Sequence, residues 1–187
     1  MPAVLVTGAA RGIGRACALR LAADGWDVLA GVRRAEDGEE LRAAGDGRIA
    51  PVALDITAAD QVAALADALP ARLDAVVNNA GVVVSGPVEA VPLDELRRQF
   101  EVNLIGQVAV TQAVLGRLRA SRGRIVFISS LSGRVSTPLT GPYNASKFAL
   151  EGLADALRME VRPWGIRVVL VEPAQTDTDI WRGADSA

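Results

Sequence analysis

The 187 residues contain no histidine. That removes every Ser-His-Asp, Cys-His and His-metal scheme before a site is sought, and no metal site is expected. The single cysteine, Cys17, cannot form an internal disulfide, and the opening MPAVLVTG lacks a charged region followed by a long apolar run. A reducing, cytoplasmic setting is the expectation. No apolar run approaches the roughly 20 residues of a membrane-spanning helix, so no membrane partner is expected. The net charge of −2 and the absence of Lys/Arg runs also argue against a nucleic-acid partner. Lysine itself is nearly missing: of 20 basic residues only Lys147 is lysine. Tyrosine occurs once, at Tyr143, and asparagine only at Asn78, Asn79, Asn103 and Asn144. A GC-rich coding sequence accounts for such a bias, and each exception then marks a position where Arg or Phe would not serve. The only lysine and the only tyrosine stand four residues apart.

What is present is a regular alternation. Short, β-branched, nearly continuous apolar runs at Ala3–Thr7, Asp27–Val32, Ile49–Leu54, Leu73–Asn78, Arg124–Ser129 and Ile166–Val171 read as buried parallel strands. Amphipathic helical patterns separate them. In the clearest, Leu93 to about Leu118, the residues Leu96, Phe100, Leu104, Val108, Leu115 and Leu118 predict one buried face. Ile13, Ala16, Cys17 and Leu21 mark the apolar face of the first helix, and Thr57 with Asp60 resembles a capping box for a helix ending near Pro70. Glu36–Asp46 reads as a short helix with loops, and Ser132–Gly141 as a site-forming loop. The expectation is an α/β fold: a doubly wound, Rossmann-type parallel sheet in a single domain over residues 1–187.

The first strand runs into Thr7-Gly8-Ala9-Ala10-Arg11-Gly12-Ile13-Gly14 and then into a helix. Glycines allow a tight turn and close approach to a pyrophosphate, and a helix N-terminus offers free N–H groups to an anion. Taken alone, such a turn is equally a tight strand-to-helix connection; its strand-loop-helix context favours a dinucleotide. An NAD site would place Asp or Glu at the end of the second strand, where this chain has Arg33 and Arg34. Two arginines suit a 2′-phosphate, with Arg11 as a further cation, so NADP(H) is expected over NAD(H). The competing reading is solvated loop charge in an Arg-rich chain.

Thr7-Gly8-x-x-x-Gly12-Ile13-Gly14, Asn78-Asn79-Ala80-Gly81, Asn103, Ser130 and Tyr143-x-x-x-Lys147, in this order and spacing, resemble the motifs of the short-chain dehydrogenase/reductase family. The resemblance covers Ala3 to about Thr178. It implies contacts of Asp55 and Ile56 with the adenine and a floor of Asn79, Ala80 and Gly81 beside the adenosine ribose, although Asp55 also reads as an ordinary loop acid. It implies too that Pro173 and Thr178 lie over the nicotinamide. Where the family usually has Pro-Gly, this chain has Pro173-Ala174, which would be strained if the usual glycine has a positive φ.

The chemistry follows from the residue types. Moving a hydride between a carbinol carbon and nicotinamide requires a proton to move at the substrate oxygen. Free tyrosine, with a pKa near 10, is a poor base at neutral pH, and a neighbouring ammonium favours its phenolate. On a helix from about Pro142 to Val161, Lys147 stands one turn from Tyr143, placed to lower that pKa and to donate to the nicotinamide ribose. Ser130, just past the fifth strand and 13 residues before Tyr143, would hold the substrate oxygen; Ser129 and Ser132 are decoys, and it is the resemblance to the family's spacing that selects Ser130. Asn103 would, by resemblance, support a water leading from Lys147 to solvent; otherwise it is a buried, satisfied amide.

The catalytic set is therefore Ser130, Tyr143, Lys147 and Asn103. The cofactor set is Gly8, Arg11, Gly12, Ile13, Gly14, Arg33, Arg34, Asp55, Ile56, Asn79, Ala80, Gly81, Tyr143, Lys147, Pro173 and Thr178. The expected activity is an NADP(H)-dependent oxidoreductase acting on a small-molecule carbonyl or secondary alcohol. The alternatives are a non-catalytic NAD(P)-binding regulatory protein, a lyase or epimerase on the same fold, or a fragment of a longer dehydrogenase. Leu131, Val135, Pro138, Leu139 and Pro142 read equally as an apolar pocket wall or as ordinary loop packing, and name no substrate. The resemblance also implies a homo-oligomer, dimer or tetramer, and several tens of residues beyond Ala187 that carry a seventh strand and more of a substrate cover. The edge that a terminal sixth strand would expose favours a longer chain over a short form that works alone.

Overall fold

In the computed structural model, which describes residues 1–174 and 176, six strands form one parallel sheet in the order β3-β2-β1-β4-β5-β6. The strands are β1 (Ala3–Thr7), β2 (Asp27–Val32), β3 (Ile49–Ala53), β4 (Ala75–Asn78), β5 (Arg124–Ile128) and β6 (Arg167–Val171). The helices are α1 (Gly12–Ala23), α2 (Ala35–Ala44), α3 (Ala59–Ala68), α4 (Leu93–Phe100), α5 (Gly106–Ser121) and α6 (Gly141–Val161). All six predicted strands are present, β1 and β2 with the predicted bounds.

Alternation along each strand sends successive side chains to opposite faces. Leu5, Val76, Ile125 and Phe127 pack with Leu65 of α3, Val114 and Leu118 of α5 and Leu150 of α6. Val4, Val6, Val28 and Ala30 pack on the other side with Ala18 and Ala22 of α1 and Leu41 of α2. Both faces are thus covered, as a buried parallel sheet requires. The strand order reverses between β1 and β4, so the turns leaving these two strands flank the crevice where sheets of this kind bind ligands.

Three local expectations give way. Along α1 the buried positions are Gly14, Ala18 and Ala22, while Ala16 is exposed; small residues there let the helix lie close on the sheet. No capping box forms at α3, where Ala58 occupies the cap position without a side-chain bond. The Thr57 hydroxyl instead donates to Asp55 at 2.7 Å, and Gln61 reaches back to the Asp55 N–H. The third correction concerns the helix predicted from Leu93. It is interrupted by a π-turn over Glu101–Ile105, and of its predicted apolar face only Leu118 is fully buried. Beside the apolar Val110, Val114 and Leu118, the buried side carries a polar stripe of Gln99, Asn103, Gln107 and Thr111, every fourth residue.

That stripe binds the chain after β4. Gln99 accepts from the Val84 N–H and donates to the Val82 carbonyl, both at 2.7 Å. Asn103 accepts from the Val82 N–H at 2.9 Å and donates to its carbonyl at 3.0 Å. Gln107 donates to the Ala80 carbonyl, and Asn78 to the Thr111 hydroxyl. Residues 79–84 lie beyond the β4 ladder, and the carbonyls of Ala80 and Val82 and the N–H groups of Val82 and Val84 are bound by these helix side chains instead.

Candidate functional site

The turns after β1 and β4 are bound to each other. The Thr7 hydroxyl accepts from the N–H groups of Asn79 and Ala80 at 3.0 and 3.1 Å, and the Asn79 amide donates to the carbonyls of Thr7 and Gly8. Gly8 has φ +62, and a Cβ there would come within 2.9 Å of the Ala80 backbone. A Cβ on Gly14 would run into the Gly8 carbonyl and the Asn79 amide. The glycines leave space that side chains would fill, and no side chain caps α1, whose cap position is Arg11. The first-turn N–H groups and the positive end of the helix are open to an anion. Ile13 is half-buried at the start of α1 and Gly12, exposed, has φ +54.

The arginines gather at the same edge. Arg34 donates to Asp37 through two nitrogens, at 3.1 and 2.7 Å. The Asp37 carboxyl is held below its usual range by that bond first, with burial opposing, and then by the charges of Arg34, Arg11 and Arg33. Arg11, Arg33 and Arg34 therefore share the neighbourhood of Asp37, and Arg34 is already engaged. Asp55 is also engaged: its carboxylate accepts from the Thr57 N–H and hydroxyl, which hold its pKa down. Ile56 is buried where Gly106 opens α5, its carbonyl 2.8 Å from where a Gly106 Cβ would lie. Gly81 lies beside Asn103.

At the carboxyl ends of β4 and β5 the predicted catalytic residues come together. Ser130 follows β5 and begins a short 3-10 turn (Leu131–Gly133), its Oγ accepting from the Ser132 N–H at 3.1 Å. Tyr143 sits in the first turn of α6, where Pro142 fits the helix start, and is buried and hydrogen-bonded to Ser130. Lys147, one turn on, is also buried; its Nζ lies 5.7 Å from the centre of the Tyr143 ring and donates to the Ile128 carbonyl at 2.8 Å. Asn103 lies in the π-turn, a feature common at functional sites, and its amide also donates to Ser146 Oγ at 3.1 Å. Ser146 in turn donates to the Tyr143 carbonyl at 2.8 Å. The Asn103 side chain thus accepts one hydrogen bond and donates two, all with protein groups. The Leu131 N–H donates to the Pro173 carbonyl, bringing the chain after β6 beside Ser130. Thr178 lies outside the described residues. Among those described, the non-glycine residues with positive φ are Asp46, Arg122 and Leu139, and Ala174 is not one of them.

One electrostatic expectation is reversed. Burial raises the Tyr143 pKa above 10 and the bond to Ser130 draws it only part of the way back. Burial also lowers the Lys147 pKa to about 8, against the pull of Glu151. With the ammonium turned to the Ile128 carbonyl, desolvation governs Tyr143.

Sequence reading missed Gln99, Gln107, Thr111 and Ser146, which hold this arrangement, and took Thr7 only as the start of the glycine-turn motif. For Gln99, Gln107 and Thr111 the available signal was a four-residue repeat of uncharged polar side chains, shared with Asn103, along one helix face. It missed Arg134 as well, which bonds Glu172 at 2.9 Å and ion-pairs with the buried Glu151 at 2.8 Å. Among the described residues there is no group of three potential metal ligands, and no helix is long and apolar enough to cross a membrane.

Glycine-rich turns at the strand-order reversal, together with a buried Ser-Tyr-Lys set beyond the carboxyl end of β5, define a dinucleotide-binding oxidoreductase architecture. Residues 2–187 match the family model described as short chain dehydrogenase, and the chain belongs to that family. It is 38% identical over 192 residues to an NADPH-dependent 3-dehydrocapnine reductase of Ornithobacterium rhinotracheale, covering 97% of this chain and 68% of that protein. A short-chain dehydrogenase from Streptomyces avermitilis superposes with a TM-score of 0.90 at 38% identity, over 96% of this chain and 69% of the other. A 3-ketoacyl-(acyl-carrier-protein) reductase from Brucella melitensis, complexed with NADH, superposes at 0.92 with 27% identity, over 97% and 78%. The chain spans about two thirds or less of the length of the curated relatives it matches.

Proposed function

We propose that this chain carries the oxidoreductase centre of an NADP(H)-dependent enzyme that interconverts a carbonyl and a secondary alcohol, with Tyr143 as the proton-transferring group. The observation that carries the reading is the buried Tyr143, hydrogen-bonded to Ser130 with Lys147 one turn behind it. The nicotinamide, when bound, supplies or accepts the hydride. Gly8, Gly12, Gly14 and the open N-terminus of α1 would hold its pyrophosphate, Asn79, Ala80 and Gly81 its adenosine ribose, and Arg11 and Arg33 a 2′-phosphate. Ile13, Asp55 and Ile56 would line the adenine side, with Arg34 at the rim, and Pro173 and Thr178 would lie over the nicotinamide. The cation cluster around Asp37 and the NADPH dependence of the Ornithobacterium reductase support the phosphorylated cofactor.

Ser130 orients the substrate oxygen by donating its hydroxyl proton to it. Tyr143, held neutral by its raised pKa, donates a proton to that oxygen as charge develops in the reductive direction. Lys147 donates to the cofactor ribose and stabilises the tyrosinate that the transfer leaves. The apolar side chains of Leu131, Val135 and Leu139, all exposed, support an uncharged, apolar carbonyl substrate. The half-buried apolar sides of α4 and α5 support a homo-oligomer, and the lone cysteine supports a reducing, cytoplasmic setting.

Tyr143→Phe is the direct test. With NADPH and a panel of simple ketones, turnover is expected to fall by about 10²–10⁴-fold. The rise in thermal midpoint produced by NADPH is expected to persist. Undiminished turnover in the variant would overturn the proposed role.

A further inference from the structure

Tyr143, Lys147 and Glu151 are spaced four apart and share one face of α6. The third of them is unusual. Glu151 is a buried carboxylate whose oxygens have no hydrogen-bond partner among the described residues, and Arg134 stands against it at 2.8 Å as an ion pair. Arg134 is shared: the same nitrogen approaches Glu172 at 2.9 Å, and Nε bonds that acid too. A buried charge held so sparingly is expensive to keep. Its placement relative to Lys147 gives it a use.

The Lys147 amine is buried, and a buried amine favours the neutral form. The groups around Lys147, Glu151 and the Arg134 that pairs with it can be named by element. From the loop after β5 comes Arg134, and from the chain after β6 Glu172; α6 itself carries Tyr143, Glu151 and Asp155. The π-turn presents the neutral Asn103, and β5 the Ile128 carbonyl. Among the described residues Glu151 is the group whose charge acts on Lys147, drawing its pKa up against burial.

We propose that Glu151, anchored by Arg134, is a positioning residue that keeps the buried Lys147 amine in its ammonium form at neutral pH. The inference rests on the catalytic reading of Lys147 given above, but its test does not require turnover.

Because Lys147 is the only lysine, labelling with lysine carrying carbon-13 at Cε gives one NMR resonance, whose shift with pH titrates this amine directly. In the intact protein the midpoint is expected near 8. In Glu151→Gln it is expected at least about one pH unit lower, a tenfold change in acid constant. In Glu151→Asp, which keeps the charge but withdraws it by one methylene, an intermediate midpoint is expected. Equal midpoints in the parent and Glu151→Gln overturn the proposal. Should Glu151→Gln not fold, an Asp variant titrating like the parent overturns it and one titrating lower supports it. The alkaline limb of kcat for ketone reduction is expected to move down in step with the midpoint. A kcat reduced equally at every pH with an unmoved midpoint marks a merely structural role and sinks the idea. Shifted midpoints in a protein that turns over no ketone would support the charge placement and defeat the catalytic reading instead.

Discussion

Arg33 and Arg34 are adjacent in sequence and equally basic, yet their surroundings separate them. Arg34 is spent on Asp37 at the start of α2, whereas Arg33 contributes charge to the same neighbourhood without such a bond. Arg33→Ser is therefore expected to weaken NADPH about 10- to 100-fold, the worth of a charge-assisted phosphate contact, and to leave NADH within about twofold. Arg34→Ser is expected to change NADPH affinity less, and losing its exposed ion pair costs stability little. Titration of dinucleotide fluorescence against both variants checks the pair. At this scale the residue types were legible and their commitments were not. Pairing with Asp37, like the capture of Asp55 by Thr57, depends on which neighbour a side chain reaches first. Tyr143 and Lys147 stood out because the composition made each unique.

Strands were the most legible elements, since a short β-branched run between turn residues leaves little choice of state. The helix from Leu93 was not, because periodicity reports that one face differs from the other without saying which is buried. Apolar residues usually settle that choice. Here the unpaired backbone of residues 79–84 outweighs them over the first half and selects Gln99, Asn103 and Gln107, while Val110, Val114 and Leu118 bury the second. Gln99→Leu, which leaves the Val84 N–H without a partner and the Val82 carbonyl with Asn103 alone, is expected to destabilise by about 1–3 kcal/mol despite adding apolar surface. Urea unfolding of the variant beside the parent measures it. The π-turn at Asn103 had no sequence signal at all, since one extra residue in a helical turn leaves composition unchanged.

Across the whole molecule, the class of fold was readable because alternation of strands and helices admits few topologies, and the observed strand order is among them. The same scale registers the buried lysine. Its folded pKa, about 8, lies below the ordinary 10.5, so between these values the unfolded chain binds more protons and stability rises with pH. Below about 8 the burden of burying the charge is constant. The slope contributed is at most about 1.4 kcal/mol per pH unit. Cys17 and Tyr143, both raised by burial, act in the opposite sense once pH passes their unfolded values of 9.0 and 10.0. Lys147→Met is therefore expected to lose an upward trend most clearly visible from pH 8 to 9, read as the difference in unfolding free energy between the two proteins.

The arrangement of strands also sets an order of events in time. The sheet is parallel throughout, so no two neighbouring strands can be closed by a tight hairpin. The central strand β1 is made first, but Val4 finds its partner Ala75 only 71 residues later. During synthesis β1 can be flanked by β2 on one side while its other edge waits for β4. Dependence on such distant pairings slows folding relative to a helical bundle of equal length and lengthens the interval in which that apolar edge stands open to other chains.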